Sequence, residues 1–297
     1  MGNSTPILAT NALRVLWLIQ PLVTGPLWAS ALDDVDTPGR TIISIALWAI
    51  WAGGLAATLI PLPVTLTAIR LITTGAAALA VWALARVSSV RAAEVIGLVA
   101  AIAAAIVAML NFVGDRFVDG SSYGDERRMP LRPPTAVLLG PAPLAWAGAV
   151  AGLTIGPALL ATGRWIPGAI ITVVGLPVAA LAIRSLHSLA RRFVVFVPAG
   201  LVIHDLVAMH DPVLFPRTAV SFVGPALAES EAVDVSAGAI GLLLELSLVA
   251  PTKVPVRDDI GPKATEGEPV EVDALLFSPS RPGALLDEAA ERKLPVH

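Results

Sequence analysis

Six stretches of the chain are almost continuously apolar, and each is long enough to cross a lipid bilayer. A membrane-spanning helix needs about 20 mostly apolar residues, because the hydrocarbon core is about 30 Å thick and a helix rises about 1.5 Å per residue. Polar or proline-bearing segments separate the stretches. The pattern therefore predicts six transmembrane helices, at residues 15–32, 41–60, 64–84, 95–113, 135–161 and 165–183.

Beyond Arg192 the apolar residues follow a strand-like pattern. Short apolar runs alternate with turn residues, and the run at 240–249 has the period of two that is typical of a strand with one buried face. That run is too short, and with Glu245 too polar, for a seventh span. We predict strands at 193–197, 201–205, 212–215, 220–223, 240–249 and 270–277, a polar loop at 251–269 and a closing helix at 283–294. The chain thus divides into a transmembrane domain, residues 1–192, and a β-rich domain, residues 193–297.

The composition agrees with a membrane location. Hydrophobic residues make up 56% of the 297 residues and charged residues 14%, with a mean hydropathy of +0.78, whereas soluble domains carry about 25% charged residues. The chain has no cysteine, which excludes disulfides, thiolate metal sites and cysteine nucleophiles. The formal charge is +5 in residues 1–192 and −8 in residues 193–297, a shift that supports a boundary between them.

Arginine placement predicts the orientation of the spans, because short cytoplasmic loops are enriched in Lys and Arg. With the N-terminus inside, nine arginines fall on the inner side and four on the outer side. We therefore expect a multi-pass protein of the inner (cell) membrane with both termini in the cytoplasm. The inner set is Arg14, Arg70, Arg116, Arg127, Arg128, Arg132, Arg184, Arg191 and Arg192, and the outer set is Arg40, Arg86, Arg91 and Arg164. The last three arginines of the inner set are expected to lie near the lipid headgroups.

The first apolar stretch has a second interpretation. Ala29-Ser30-Ala31 ends it in the A-x-A pattern of a signal-peptidase site. Arg14 comes late for a signal peptide, and prolines interrupt the apolar run, so a retained helix is the main prediction. Removal of the segment would leave five spans and the C-terminal domain on the same side.

Two predicted spans carry small residues at four-residue spacing, a pattern that lets helices approach closely in lipid. Gly148, Gly152 and Gly156 form two G-x-x-x-G steps in the fifth span, and Gly97 begins a similar row in the fourth. A chain rich in Ala and Gly also produces such spacings by chance, and that alternative stays open. We predict that the fifth-span glycines face a neighbouring helix.

Arg70 is the main ionisable residue inside a predicted span, where such residues are costly and often functional. It could contact an anion or a lipid phosphate. Alternatively, its side chain extends to the inner headgroups, as long basic side chains near helix ends do. No Asp, Glu or His lies near the middle of a predicted span, which disfavours proton-coupled transport.

Two segments of the predicted β-rich domain resemble a known type of module. The sequence RRFVVFVPAGLVIHD at 191–205 leaves the last span, and LLFSPSRPGALLDEAAERK at 275–293 closes the chain. In this order they resemble the PH-like domains appended to bacterial multi-pass proteins, and the whole chain resembles integral membrane proteins of actinobacteria. The resemblance implies a partly open barrel or sandwich capped by the final helix, with a binding or assembly role and no catalytic residues. A phosphoinositide pocket is not expected, because the domain carries a charge of −8.

Candidate chemistry is sparse. His204 and His210, each followed by Asp, are weak candidates for metal ligands, although both are also ordinary turn residues. Common zinc-protease, nucleotide-binding and hydrolase motifs are absent from the sequence, so we predict no catalytic residue, no cofactor and no enzyme activity. An acidic domain without a basic, aromatic stripe is not expected to bind nucleic acid. The acidic run at 258–273 is expected to be a solvated loop.

These observations favour a non-enzymatic membrane protein that acts in protein interaction or assembly through a cytoplasmic PH-like domain. Its expected partners are the lipid bilayer and another protein, and no oligomeric state is predicted. The alternative function is a small-solute transporter or channel, whose path would run through the bundle beside Arg70 and the glycine faces.

Overall fold

The computed structural model describes residues 4–257 and 269–296. These residues form two compact units, which are described separately. The first takes in residues 4–117 and 143–187, and the second takes in residues 118–142 and 188–296. The chain therefore passes from one unit to the other three times along its length.

Six helical stretches of the described chain are long and apolar enough to span a membrane, which confirms the predicted number. They are Ser4–Ala31, Thr37–Leu59, Pro63–Arg86, Ala92–Met109, Pro141–Ala161 and Trp165–Ala190. Individual helices in chain order are α1 (Ser4–Leu18), α2 (Gln20–Ala31), α3 (Thr37–Leu59), α4 (Pro63–Arg86), α5 (Ala92–Met109), α6 (Asn111–Asp119), α7 (Thr135–Leu139), α8 (Pro141–Ala161), α9 (Trp165–Ala190) and α10 (Pro282–Glu291).

Helix breaks explain where the observed spans differ from the predicted ones. The first span changes from α1 to α2 at Ile19, because Pro21 has no N–H for the preceding turn and its ring clashes with that turn. The predicted fourth span, 95–113, ends earlier, since Leu110 has an extended backbone and the residues after it form a separate helix. The predicted fifth span, 135–161, is divided at Gly140, which precedes a proline and is thereby disfavoured in a helical conformation.

Small residues bring α2 and α5 close together. A Cβ built on Gly97 would lie 2.9 Å from the carbonyl oxygen of Val23. At the start of α5, the Glu94 carboxylate accepts hydrogen bonds from Ser30 at 3.0 Å and from the Arg91 side chain at 2.7 Å. The hydrogen bond and the charge of Glu94 raise the pKa of the Arg91 guanidinium above its ordinary value. The apolar core beside this crossing consists of Leu27, Ala31, Ala80, Ala83 and Ala101.

The second unit contains two four-stranded sheets in the described residues, and a helix closes the chain. The first sheet has the order β1-β2-β3-β4 and is antiparallel throughout; the second has the order β5-β7-β8-β6, with β6 parallel to β8. Leu285 and Ala289 of α10 are buried in the apolar core that both sheets share. The strands are β1 (Arg127–Pro130), β2 (Phe193–Val197), β3 (Gly200–His204), β4 (Val213–Pro216), β5 (Val220–Pro225), β6 (Val233–Asp234), β7 (Leu244–Val254) and β8 (Val270–Phe277).

Strand β1 comes from the segment between the fourth and fifth spans, so the β-rich unit is built from two separate parts of the chain. Met129 pairs with Val194 of β2, and both side chains are buried in the core. The division predicted at residue 192 differs here, because it assigns residues 118–142 to the transmembrane domain. Residues 118–142 and 188–192 together add five arginines and three carboxylates, so the second unit has a formal charge of −6 rather than −8.

The predicted β-hairpin is observed, with Phe193 opposite His204 and a tight turn before Gly200. The predicted strand 240–249 begins later and extends further, because β7 continues to Val254 through a bulged register against β8. The predicted loop 251–269 is therefore shorter at its start. Most of the acidic run at 258–273 lies outside the described residues, and its last part belongs to β8.

Candidate functional site

The first unit contains a partly open cavity of about 790 Å³. Side chains from α1 to α5 and α8 line it. The wall is mainly aliphatic and aromatic, and it includes four of the seven tryptophans of the chain: Trp17, Trp28, Trp48 and Trp51. A mostly apolar concave space with a few polar groups is the usual form of a small-molecule site.

Two of these tryptophans hold α1 against α3. The Trp17 indole N–H donates to the Trp51 carbonyl at 2.9 Å, and the Trp51 indole N–H donates to the Trp17 carbonyl at 3.0 Å. The Trp17 carbonyl lacks its helical partner four residues on, because that residue is Pro21. A Cβ on Gly54 would lie 2.5 Å from the Trp17 ring nitrogen, so only glycine leaves room for the ring at that point.

The charged residues that line the cavity are Asp33 and Arg40, beside the turn between α2 and α3. The Arg40 guanidinium donates to the Asp33 carbonyl at 2.7 Å, and it lies 3.9 Å from the Asp33 carboxylate, beyond hydrogen-bond distance. The Asp33 side chain is 85% exposed. Arg40 is thus bound to the backbone of the turn, and the Asp33 carboxylate stays available.

Polar groups also line the interior of the cavity. Gln20 is only 6% exposed, and its amide nitrogen donates to the Ala100 carbonyl at 3.0 Å. Thr24 lies one turn further along α2, and its hydroxyl donates to the Gln20 carbonyl at 2.8 Å. Gln20 and Thr24 therefore place hydrogen-bonding groups on the α2 wall of a mostly apolar cavity.

Arg70 is not among the residues that line the cavity. Its Nε donates at 3.1 Å to the carbonyl of Ala108, in the last turn of α5. Arg14 has the same role at the end of α3, where its Nε donates to the Thr58 carbonyl at 3.0 Å. Carbonyls in the last turn of a helix have no helical partner, and a cation satisfies both their hydrogen bonds and the helix dipole. An anion or lipid contact of Arg70 stays a prediction; the capping role of Arg14 was missed because neither spacing nor composition indicates it.

The three predicted packing glycines all lie on the side of α8 that contacts α9. A Cβ on Gly152 would collide with the carbonyl oxygen of Gly175, and one on Gly156 would lie 2.6 Å from the backbone nitrogen of Thr172. A Cβ on Gly148 would lie 3.6 Å from Val178, which is an ordinary contact. The close approach is thus centred on Gly152 and Gly156.

An ion pair is buried in the second unit. Arg192 and Asp205 are each 1% exposed, and the two guanidinium nitrogens Nε and Nη2 donate to the two carboxylate oxygens at 2.8 and 2.6 Å. Arg192 also donates to the carbonyls of Arg132 and Ser236. The expectation that Arg192 lies near lipid headgroups is wrong, because its charge is satisfied inside the protein.

The two weak metal candidates differ in their surroundings. His204 donates through Nδ1 to the Arg191 carbonyl at 2.9 Å, and its ring stacks on Phe193 with centroids 4.5 Å apart. The Nε2 of His210 is buried and has no hydrogen-bond partner. In residues 4–257 and 269–296, no group of three His, Asp or Glu side chains has a metal-binding arrangement.

No known protein family, no curated protein and no solved structure matches the chain. The resemblance to PH-like domains and to actinobacterial proteins therefore gains no support from comparison. The described structure defines the class: six helices long and apolar enough to span a membrane, followed by a β-rich region with two sheets and a C-terminal helix.

Proposed function

We propose that this protein binds a small amphipathic solute in its helical bundle, as a carrier or transporter in the cell membrane, without performing chemistry on it. The observation that carries the proposal is the tryptophan-lined cavity of about 790 Å³. Its volume lies within the range of about 300–1,000 Å³ that is typical of small-molecule sites. The buried amide of Gln20 and the charged pair at the α2–α3 turn provide polar contacts for one end of the solute.

A cavity-filling substitution tests this function. Ala76 lines the cavity on α4, whereas Ala78 of the same helix is exposed and does not line it. The full chain in lipid nanodiscs should bind the neutral fluorescent probe N-phenyl-1-naphthylamine saturably. Ala76→Phe should abolish the saturable part, and Ala78→Phe should retain it. Equal binding by both variants would show that the probe does not bind in the cavity.

The second candidate function is protein assembly through the β-rich unit, for which a PH-like fold is our proposal. Three large apolar side chains of this unit are exposed to 80%, 73% and 66%: Leu227, Ile240 and Val249. A protein partner would remove them from water. Affinity capture in mild detergent tests this candidate: the same partners should be recovered with the wild type and lost with Leu227→Ser and Ile240→Ser.

We propose that both termini are cytoplasmic. The pairing of β1 with β2 supports two crossings between Pro130 and Phe193, because paired strands lie on one side of the membrane. Leu27 and Ala31 are buried against α4 and α5, which supports a retained first span rather than a cleaved signal peptide. Arginines are more numerous on the inner side in this orientation.

A further inference from the structure

We infer that the solute of the cavity is a hydrophobic organic cation, such as a quaternary ammonium or phosphonium ion. The inference rests on the proposed function and deepens it by naming the class of solute. It combines two features of the cavity. Four tryptophans line it, and of its two charged side chains only Arg40 is hydrogen-bonded to the backbone of the turn, which leaves the Asp33 carboxylate available.

Tryptophan favours a cation over an anion of the same shape. The negative face of the indole ring attracts cations, and tryptophan does so more strongly than the other aromatic side chains. Four tryptophans line this cavity. Trp48 and Trp51 meet edge to face with ring centroids 5.4 Å apart, and Trp48 remains 57% exposed, so part of its surface is open to a ligand.

The charged side chains of the cavity lining also favour a cation. The Arg40 guanidinium donates to the carbonyls of Asp33 and Val35, whereas the Asp33 carboxylate receives no hydrogen bond from it. Asp34 and Asp36 follow in the same turn and are exposed. An anion at this turn would lie near three carboxylates and an arginine that is already hydrogen-bonded to the backbone. A cation would meet an available carboxylate and then the tryptophan wall.

The aliphatic part of the cavity wall indicates the chemistry of the uncharged part of the solute. Leu47, Ile50, Leu71 and Leu79 line the cavity, and only a hydrophobic body gains from displacing water or lipid there. Small hydrated inorganic cations would lose their hydration in such a space without enough oxygen ligands to replace it. The geometry therefore selects a cation whose charge is surrounded by apolar groups.

Tetraphenylphosphonium and tetraphenylborate provide a test, because they match in size and shape and differ in the sign of their charge. Binding of each radiolabelled ion to the full chain in nanodiscs would be measured by competition with the unlabelled ion. Only the competed part counts, since both ions also partition into lipid. We expect saturable binding of the phosphonium ion, about tenfold or more tighter than that of the borate.

Two substitutions and one matched control test which residues bind the phosphonium ion. Asp33→Asn and Trp48→Leu should each weaken phosphonium binding by about two- to fivefold. Asp34→Asn removes a charge in the same turn from a residue that does not line the cavity, and it should have a smaller effect. Melting temperatures of all variants would show that each one is folded.

Equal or tighter binding of the borate would overturn the inference and would indicate that Arg40 selects an anion. Unchanged phosphonium affinity in both Asp33→Asn and Trp48→Leu would also overturn it. Binding of N-phenyl-1-naphthylamine without either ion would overturn the cation class and leave the proposed function intact. Failure of all three probes would overturn both.

Discussion

Trp17 and Trp51 exchange hydrogen bonds: each indole N–H donates to the backbone carbonyl of the other, at 2.9 and 3.0 Å. Backbone carbonyls inside a helix normally accept from the residue four positions on. Pro21 cannot donate to Trp17, so the carbonyl is free to accept the indole of a second helix. In lipid an unpaired carbonyl is costly, and the exchange therefore joins the first two spans at one wall of the cavity.

This contact predicts a difference between adjacent glycines of α3. Gly54→Ala would place a methyl group against the Trp17 ring, and such overpacking costs about 1–3 kcal/mol. Gly53→Ala meets nothing within 4 Å and gains helix propensity, so it should be neutral or stabilising. Thermal unfolding in detergent measures both variants. Equal melting temperatures would show that the packing of the Trp17 ring does not require glycine at position 54.

A similar pair of glycines tests the contact between α8 and α9. Gly152→Ala should lower the melting temperature, because its Cβ would collide with the Gly175 backbone, which cannot rotate away. Gly148→Ala, one turn earlier on the same face, gains only an ordinary contact with Val178. Tolerance of Gly152→Ala to the same extent as Gly148→Ala would contradict a close crossing at this point.

The buried ion pair predicts strong destabilisation of the second unit when one partner is removed. Arg192→Met leaves the Asp205 carboxylate buried without its cation, at a cost of about 3–5 kcal/mol. Arg191→Met is the control, since Arg191 is exposed and adjacent. Limited proteolysis of the full chain should cut the β-rich unit of Arg192→Met faster. Equal cutting of the two variants would show that the ion pair is dispensable.

Strand β1 can be tested by a disulfide, because the native chain has no cysteine. Arg128 lies opposite Val195, and paired residues of antiparallel strands lie within disulfide range. The double variant Arg128→Cys/Val195→Cys should oxidise and then resist labelling with a maleimide-polyethylene glycol reagent. Arg128→Cys with Val197→Cys should stay labelled, since Val197 is opposite Gly200. Labelling of both double variants would refute the pairing.

The proposed orientation predicts on which side of the membrane each loop is accessible to a reagent. A cysteine at Ser89, between the third and fourth spans, should react with an impermeant thiol reagent on intact cells. A cysteine at Tyr123, between the fourth and fifth, should react only after the cells are permeabilised. Tyr123 is a better probe than the half-buried Ser121, because its side chain is 88% exposed. The reverse labelling pattern would invert the orientation.

The sequence by itself determined the elements whose pattern is local. The six apolar spans, the hairpin of β2 and β3, and the strand β8 were all predicted from hydrophobic residues close together in the chain. The hydrophobicity and the periodicity of a segment depend only on residues close together in the sequence. They therefore predict a helix or strand without knowledge of the element that it packs against. The bounds of the spans were less accurate: the first begins at Ser4 rather than at residue 15, and the sixth continues to Ala190 rather than ending at residue 183.

Only the tertiary structure decided which distant segments meet. The sequence Arg127–Pro130 contains two arginines and a proline, which do not indicate a strand; it becomes β1 because β2, far along the chain, offers an edge to pair with. The sequence predicted that Arg192 lies near the lipid headgroups, whereas in the structure it forms a buried ion pair with Asp205. The cavity likewise belongs to six helices at once, and no single one shows it. Contacts of this kind depend on packing between elements, which local pattern does not encode.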